Sequence, residues 1–161
     1  PMSESSSTAR SYELVQTVGE EVTPGKTSEH PRTPMSESSS TARSYELVQT
    51  VRFESARRLP KVPDGHPCKN LYGLAFYLDI HVVGTLDAES GWVFDFAEID
   101  RAMKPLRDQI DHHYLNDVPG LENPTSEVLV TWIWDHLKPA VPGLVQLVLR
   151  ENDVSRVIFR G

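Results

Sequence analysis

Three side chains in this sequence of 161 residues have types that suit acid–base chemistry: Cys68, Asp111 and His112. Cys68 is the single cysteine, so it has no disulfide partner within the chain, and a free thiol can act as a base or nucleophile once deprotonated. An imidazole beside a carboxylate, as in Asp111–His112, suits proton transfer because histidine titrates near neutral pH. The alternatives are an unreactive loop cysteine and a turn that merely ends a helix.

A second set of polar side chains lies at the ends of predicted elements. Thr125 and Ser126 precede an apolar helical segment, where a hydroxyl group either caps the helix or lines a pocket. Glu151 ends a predicted strand, where a carboxylate is either solvated or free to accept hydrogen bonds from a ligand. Both interpretations of these residues stay open at this point.

The elements that position these residues follow from the apolar periodicity. Helix N-termini are indicated at Asp95 and at 124–127. The order β-β-α-α-β-β predicts an α+β fold, with a four-stranded antiparallel sheet and two helices on one face. The predicted strands cover 45–53, 76–83, 144–151 and 155–160. The predicted buried stripes are Ile99, Met103, Leu106 and Ile110 in the first helix, and Val128, Leu129, Trp132, Ile133 and Leu137 in the second.

An exact duplication marks the N-terminal part of the chain. Residues 1–18 recur unchanged as residues 34–51, and the segment between the copies is rich in Pro, Gly, Thr and charge. Identity between the copies indicates a recent or artificial event, so residues 1–34 are interpreted as an expression or cloning extension. Residues 1–43 are expected to be disordered, and residues 44–161 to form one folded domain.

Composition excludes several classes of protein. The apolar share of 39% and the charged share of 24% are typical of a soluble globular domain. A net charge of −7 provides no basic surface, so neither nucleic acid nor an anionic membrane is an expected partner. No apolar run approaches the roughly 20 residues of a membrane-spanning helix. The lone cysteine fits a reducing compartment, and a cytoplasmic location is expected.

Six segments, in their order and spacing, resemble the 6-pyruvoyl- and 6-carboxy-tetrahydropterin synthases, and the bacterial 6-carboxy type most of all. They are 53–60 (FESARRLP), 65–74 (GHPCKNLYGL), 91–96 (GWVFDF), 111–116 (DHHYLN), 123–127 (NPTSE) and Glu151. The resemblance implies the tunnelling fold, in which the sheets of three subunits form a barrel and two trimers stack. It also implies active sites at subunit interfaces. The expected partners are therefore a small-molecule substrate and further copies of this chain, as a trimer or a dimer of trimers.

The resemblance also implies a zinc site whose ligands this chain lacks. The family's three zinc-binding histidines correspond to Arg57, Tyr72 and Leu74 here. An arginine does not deprotonate to become a ligand, leucine has no donor atom, and one tyrosine is a poor zinc site. We therefore expect no metal and no other cofactor, and we interpret all three as substrate-binding candidates. A site rebuilt from His66 and His81 is the alternative.

Other roles follow from the same match. Cys68 corresponds to the family's catalytic thiol, which removes a proton as thiolate. Asp111 and His112 correspond to a pair that a neighbouring subunit contributes to activate the cysteine and shuttle protons. Glu151 corresponds to the carboxylate that accepts two N–H groups from the pterin. The hydroxyl positions of the pterin pocket correspond to Thr125 and Ser126.

Three functions are compatible with these residues. The first is a zinc-independent lyase or cyclase, repurposed for a specialised biosynthetic pathway, with Cys68, Asp111 and His112 as its acid–base set. The second is 6-carboxytetrahydropterin synthesis from dihydroneopterin triphosphate. The third is a non-catalytic module that binds a pterin-like heterocycle through Glu151. The thiol favours the first over the third, since a binding module has no need of it.

Overall fold

A long antiparallel hairpin forms the centre of the sheet. The computed structural model describes residues 43–161, in which strand β1 (Tyr45–Arg57) pairs with strand β2 (Tyr72–Gly84) along its full length. Apolar residues alternate along both strands, so one face of the hairpin is buried and the other is polar. The register places Arg57 directly opposite Tyr72. These two residues therefore share one end of the hairpin.

The sheet contains one strand more than the sequence predicts. Strands β4 (Leu144–Arg150) and β5 (Arg156–Phe159) extend the hairpin antiparallel on one side, as expected. On the other side a two-residue strand, β3 (His113–Tyr114), pairs parallel to β1 at Ser55 and Ala56. The sheet is mixed and has the order β3-β1-β2-β4-β5. A segment of two residues carries no periodicity, which is why the prediction of four antiparallel strands omitted it.

Helix α1 (Phe96–Ile110) begins where the sequence indicates. The Asp95 carboxylate accepts a hydrogen bond from the Ala97 backbone N–H at 2.9 Å and so caps the first turn. The predicted stripe of the helix is buried throughout and joins the apolar side of the sheet in one core. The α+β architecture with two helices is therefore confirmed.

Helix α2 (Ser126–Leu137) has a broader buried surface than its predicted stripe. The Thr125 hydroxyl caps the helix by accepting from the Val128 N–H at 3.3 Å. Val128 itself is exposed, contrary to the prediction, whereas Val130 and Trp134 are buried. Trp134 packs edge-on against Phe159 of β5, with ring centroids 5.4 Å apart. Contact with the last strand therefore extends the buried face beyond a single stripe.

Residues 1–42 lie outside the described part of the chain. The expectation of a disordered extension at 1–43, and of an added segment at 1–34, therefore remains a prediction. Within residues 43–161, no helix is both long and apolar enough to cross a membrane.

Candidate active site

Arg57, the last residue of β1, carries a buried positive charge. Its side chain lies on the core side of the sheet and is only 3% exposed. The guanidinium carbon lies 5.2 Å from the ring centroid of Phe76 and 5.5 Å from that of Tyr72. A desolvated cation is stable only when its donors and its charge are satisfied, so its polar partners decide its role.

Every nitrogen of the Arg57 guanidinium has a protein partner. Nε donates to the Tyr72 hydroxyl at 3.0 Å. One terminal nitrogen donates to the Pro124 carbonyl at 2.9 Å and to the Ser126 hydroxyl at 3.2 Å. The other donates to Glu151 Oε1 at 2.7 Å, which completes an ion pair. Arg57 therefore joins β1, β2, the start of α2 and the end of β4.

One oxygen of the Glu151 carboxylate is shared between two donors. The Ser126 hydroxyl also donates to Glu151 Oε1, beside the Arg57 contact. The Glu151 side chain remains 27% exposed, and it lines a small cavity of about 120 Å³ together with Ser126 and Arg156. Thr125, by contrast, is used as the helix cap. The structure thus brings Arg57, Ser126 and Glu151 together and gives Thr125 a capping role.

Cys68 lies next to this cluster in a short 3-10 helix (Pro67–Lys69). Its backbone carbonyl accepts from the Leu59 N–H at 2.7 Å, and its N–H donates to His66 Nδ1 at 3.1 Å, which fixes the loop. Burial raises the pKa of the Tyr72 hydroxyl, a hydrogen bond with the Cys68 thiol raises that pKa further, and the Arg57 charge opposes both effects. Cys68 and Tyr72 are four residues apart in the chain, and Tyr72 lies opposite Arg57 at this end of the hairpin.

Asp111 and His112 form a separate unit at the end of α1. Asp111 Oδ1 accepts from the Glu54 backbone N–H at 2.9 Å and lies 3.0 Å from His112 Nδ1. The hydrogen bond from the Glu54 N–H lowers the pKa of Asp111 more than any other effect. Burial raises this pKa, and the charges of His112 and Arg107 lower it further. His112 has a left-handed backbone (φ 59°), and its N–H donates to the Glu54 carbonyl at 2.6 Å. The His112 side chain is largely exposed.

Leu74 lies between the two groups, because it is two residues from Tyr72 on the same face of β2. Leu74 and His112 line the same open cleft, of about 530 Å³, between β1, β2 and β3. Within residues 43–161, no hydrogen bond links the Cys68 side chain to Asp111 or His112. The candidate residues of one chain therefore fall into two groups, around Arg57 and around Asp111.

Glu54 is a member of the site that the sequence did not single out. Its backbone N–H and carbonyl bind Asp111 and His112, and its carboxylate lies 3.6 Å from His112 Nε2. Glu54 is part of the segment 53–60, but its position in a strand with alternating burial indicated only a solvated side chain. Pairing between residues 54 and 111 is a tertiary contact that periodicity does not reveal.

The residues at the expected zinc position do not fit a metal ion. Arg57 keeps its charge and uses its nitrogens as donors, and the Leu74 side chain has no ligand atom. His66 caps the Cys68 loop, and His81 pairs with Glu46 at 2.7 Å. In the described part of the chain, no group of three His, Cys, Asp or Glu side chains is arranged to hold a metal. No step of the chemistry is therefore assigned to zinc.

Comparisons with known proteins agree with the sequence motifs. The family model of 6-pyruvoyl tetrahydropterin synthase matches residues 46–161. A 6-carboxy-5,6,7,8-tetrahydropterin synthase of Synechocystis sp. is 38% identical over 109 residues, which cover 64% of this chain and 83% of the relative. A dihydroneopterin monophosphate aldolase of Pyrococcus furiosus is 30% identical over 79 residues, 49% of this chain and 66% of its own length.

A solved structure shares the fold. The 6-pyruvoyl tetrahydropterin synthase of Caenorhabditis elegans superposes with a TM-score of 0.69 at 23% identity, over 74% of this chain and 97% of its own. At this identity the similarity concerns the fold alone.

Proposed function

Because the chain belongs to the 6-pyruvoyl tetrahydropterin synthase family, we propose that it is a zinc-independent lyase or cyclase acting on a substrate other than a pterin. Relatives named 6-carboxy- and 6-pyruvoyl-tetrahydropterin synthase support an enzyme of this general kind. The lack of zinc and the change of substrate are our own proposal. We also propose that the enzyme serves a specialised biosynthetic pathway.

The observation that supports this function is the ion pair between Arg57 and Glu151. A pterin presents two parallel N–H donors to a carboxylate, and a guanidinium presents the same pattern. In this chain Arg57 and Ser126 already donate to Glu151 Oε1, so an incoming pterin must compete with a buried internal cation. The residue at an expected metal position thus competes with a pterin for the expected anchor. Arginine at position 57 therefore removes a zinc ligand and weakens the pterin anchor. Dihydroneopterin triphosphate would need both the metal and the anchor.

The acid–base residues keep the roles that the resemblance implies. We propose that the Cys68 thiolate removes a proton from the substrate. Asp111 and His112 then relay protons from a neighbouring subunit, since they have no hydrogen bond to Cys68 within residues 43–161. A homo-oligomer, either a trimer or a dimer of trimers, would bring the two groups together.

With all four of its guanidinium hydrogen bonds inside the protein, Arg57 positions the site instead of holding a substrate anion. We also propose a cytoplasmic location, where Cys68 would stay reduced.

The second candidate is 6-carboxytetrahydropterin synthase itself. The 38% identity to the Synechocystis relative favours it. Under this alternative, Arg57 would have to release Glu151 when the pterin binds.

Incubation with dihydroneopterin triphosphate, with and without a chelator, separates the two candidates. Under the proposed function, the purified protein contains well under one equivalent of zinc by elemental analysis and forms no pterin product. The triple variant Arg57→His/Tyr72→His/Leu74→His tests whether these three side chains account for the lack of zinc. It should acquire zinc, because it restores the three histidine ligands. Native mass spectrometry of protein from its own host would then identify what occupies the pocket.

Stoichiometric zinc that survives a mild chelator, together with turnover of dihydroneopterin triphosphate, would establish the second candidate. Tight pterin binding without turnover would instead support a binding module. Either result removes the proposed function.

A further inference from the structure

Arg58 follows the buried Arg57 and has the opposite environment. Arg57 is 3% exposed and uses its guanidinium on protein partners, whereas Arg58 is exposed. Successive side chains of an extended segment point to opposite sides, so the two arginines serve different surfaces of the sheet. Within residues 43–161, no carboxylate forms an ion pair with Arg58. Of these two neighbouring cations, Arg58 is therefore the one available to a ligand.

The backbone of Arg58 is clamped by Asn116. The Arg58 N–H donates to Asn116 Oδ1 at 3.0 Å, and the Asn116 amide donates back to the Arg58 carbonyl at 2.9 Å. The same amide also donates to the Glu122 carbonyl at 3.1 Å, which ties the clamp to the segment before α2. Both backbone groups of Arg58 are thus used, and its guanidinium is the group left for a ligand.

Arg58 and a second cation, Lys69, line a cavity of about 490 Å³, here called the basic cavity. Its other lining residues are Asn70, Leu71 and Tyr114. Lys69 pairs with the almost fully exposed Asp64, which lies outside the lining, and an exposed pair of this kind is weak enough to exchange for another anion. In the part of the chain that the structure describes, no carboxylate lines the basic cavity, although the net charge of the chain is −7.

The basic cavity adjoins the cleft of His112. Tyr114, in β3, lines both the basic cavity and the open cleft of about 530 Å³. The lining of this cleft on β1 and β2 includes the small or apolar residues Ala56, Gly73, Leu74 and Ala75. A ligand whose anion lies beside Arg58 can therefore extend an apolar body past Tyr114 and towards His112.

We infer that Arg58 and Lys69 bind an oxyanion of the substrate, either a carboxylate or a phosphate, in the basic cavity. A guanidinium binds two oxygens of either group at once, and an ammonium adds a point charge. The apolar body of the same molecule occupies the cleft beyond Tyr114. The substrate class is thus a small apolar molecule with a terminal oxyanion. Only the use of this site by a substrate rests on the proposed function, since the site itself follows from the cavity.

Ligand-observed NMR with benzoate and phenyl phosphate tests the site without turnover. Each probe joins an aromatic ring to one oxyanion, and we expect at least one of them to bind. Binding should be about tenfold weaker in Arg58→Gln, because a hydrogen bond to a charged group is lost. Lys69→Gln should weaken binding less, because lysine supplies only a point charge on a flexible stem. Tighter binding of benzoate identifies a carboxylate as the anion, and tighter binding of phenyl phosphate identifies a phosphate.

Arg101→Gln is the matched control for charge. Arg101 is an exposed arginine on α1 that lines neither cavity, so its variant should bind the probes as the wild type does. Arg58→Lys should recover part of the affinity, because it restores the charge without the two-pronged geometry. Substitution of the Arg58 side chain leaves the Asn116 clamp in place, since that clamp uses only backbone atoms of Arg58.

The inference is overturned if neither anion binds the wild-type protein, or if Arg58→Gln binds the anions as tightly as Arg101→Gln does. It is also overturned if benzamide, the neutral match of benzoate, binds as tightly as the anions. Zinc-dependent turnover of dihydroneopterin triphosphate would defeat the proposed function but would leave these binding constants unchanged. The two failures are therefore distinguishable.

Discussion

At the scale of single residues, Arg57 depends on Glu151 for its charge balance. The guanidinium is buried, and within residues 43–161 the only carboxylate in an ion pair with it is that of Glu151. Glu151→Gln keeps the shape of the side chain but leaves the cation without a counterion. Because the carboxylate is 27% exposed, we expect a loss of about 2 kcal/mol in the free energy of unfolding, below the range for a fully buried pair. Urea denaturation measures it.

The Lys104–Asp108 pair on α1 supplies the control. Both side chains are mostly exposed, at 73% and 61%, so Asp108→Asn should cost less than about 0.5 kcal/mol. Equal losses for Glu151→Gln and Asp108→Asn would contradict the structural role of the Arg57–Glu151 pair.

Asp111 gives the protein a pH dependence of known sign. Hydrogen bonding to the Glu54 N–H lowers the pKa of Asp111 below its ordinary value of 3.8. Ionised Asp111 therefore stabilises the fold above that value, and this contribution is lost as the pH falls through the lowered pKa. Asp111→Asn should flatten the decline of the urea midpoint between about pH 5 and about pH 2. Asp117→Asn, at an exposed position, should decline like wild type; a parallel decline of Asp111→Asn would refute the prediction.

At the scale of elements, the connection between α2 and β4 depends on one glycine. Gly143 has a φ of 79°, and a Cβ atom there would lie 2.5 Å from the Val83 carbonyl oxygen of β2. Gly91 has a similar φ of 74° but open space around it. Gly91→Ala should therefore cost about 1 kcal/mol from backbone strain alone, and Gly143→Ala at least about 3 kcal/mol. Thermal and urea unfolding of both variants measure these losses. Equal losses in the free energy of unfolding for the two variants would contradict the prediction.

The strands and helices were predictable where their periodicity is long, and the contacts between distant residues were not. The alternation in β1 and β2 and the stripe of α1 indicate their elements directly, whereas β3 has only His113 and Tyr114. The resemblance placed Arg57, Ser126 and Glu151 in one substrate site, but it did not indicate that they bond to one another. Arg57 and Glu151 are 94 residues apart, and their pairing depends on the β2–β4 register. Residue type indicated the chemistry, but only the sheet order shows which groups interact.

At the scale of the whole molecule, both edges of the sheet end in short strands. β3 has two residues and β5 has four, and Ile158 on β5 is 49% exposed. Open edges with apolar side chains favour pairing with another chain. We predict a mass of three or six chains by light scattering, and dissociation to smaller species in Ile158→Lys. Val154→Lys, which is more exposed but lies outside the strands, should assemble normally. A wild-type monomer at micromolar concentration would contradict the prediction.

The left-handed backbone of His112 restricts which mutations can reach this position without distorting the chain. A single nucleotide change in a histidine codon yields Tyr, Asn, Asp, Leu, Pro, Arg or Gln. Of these, only Asn and Asp adopt a positive φ readily, and Asp would place a second carboxylate next to Asp111. Asn is therefore the one-step neighbour that preserves the turn while removing the imidazole. A lineage that abandoned proton transfer would drift most easily to asparagine here.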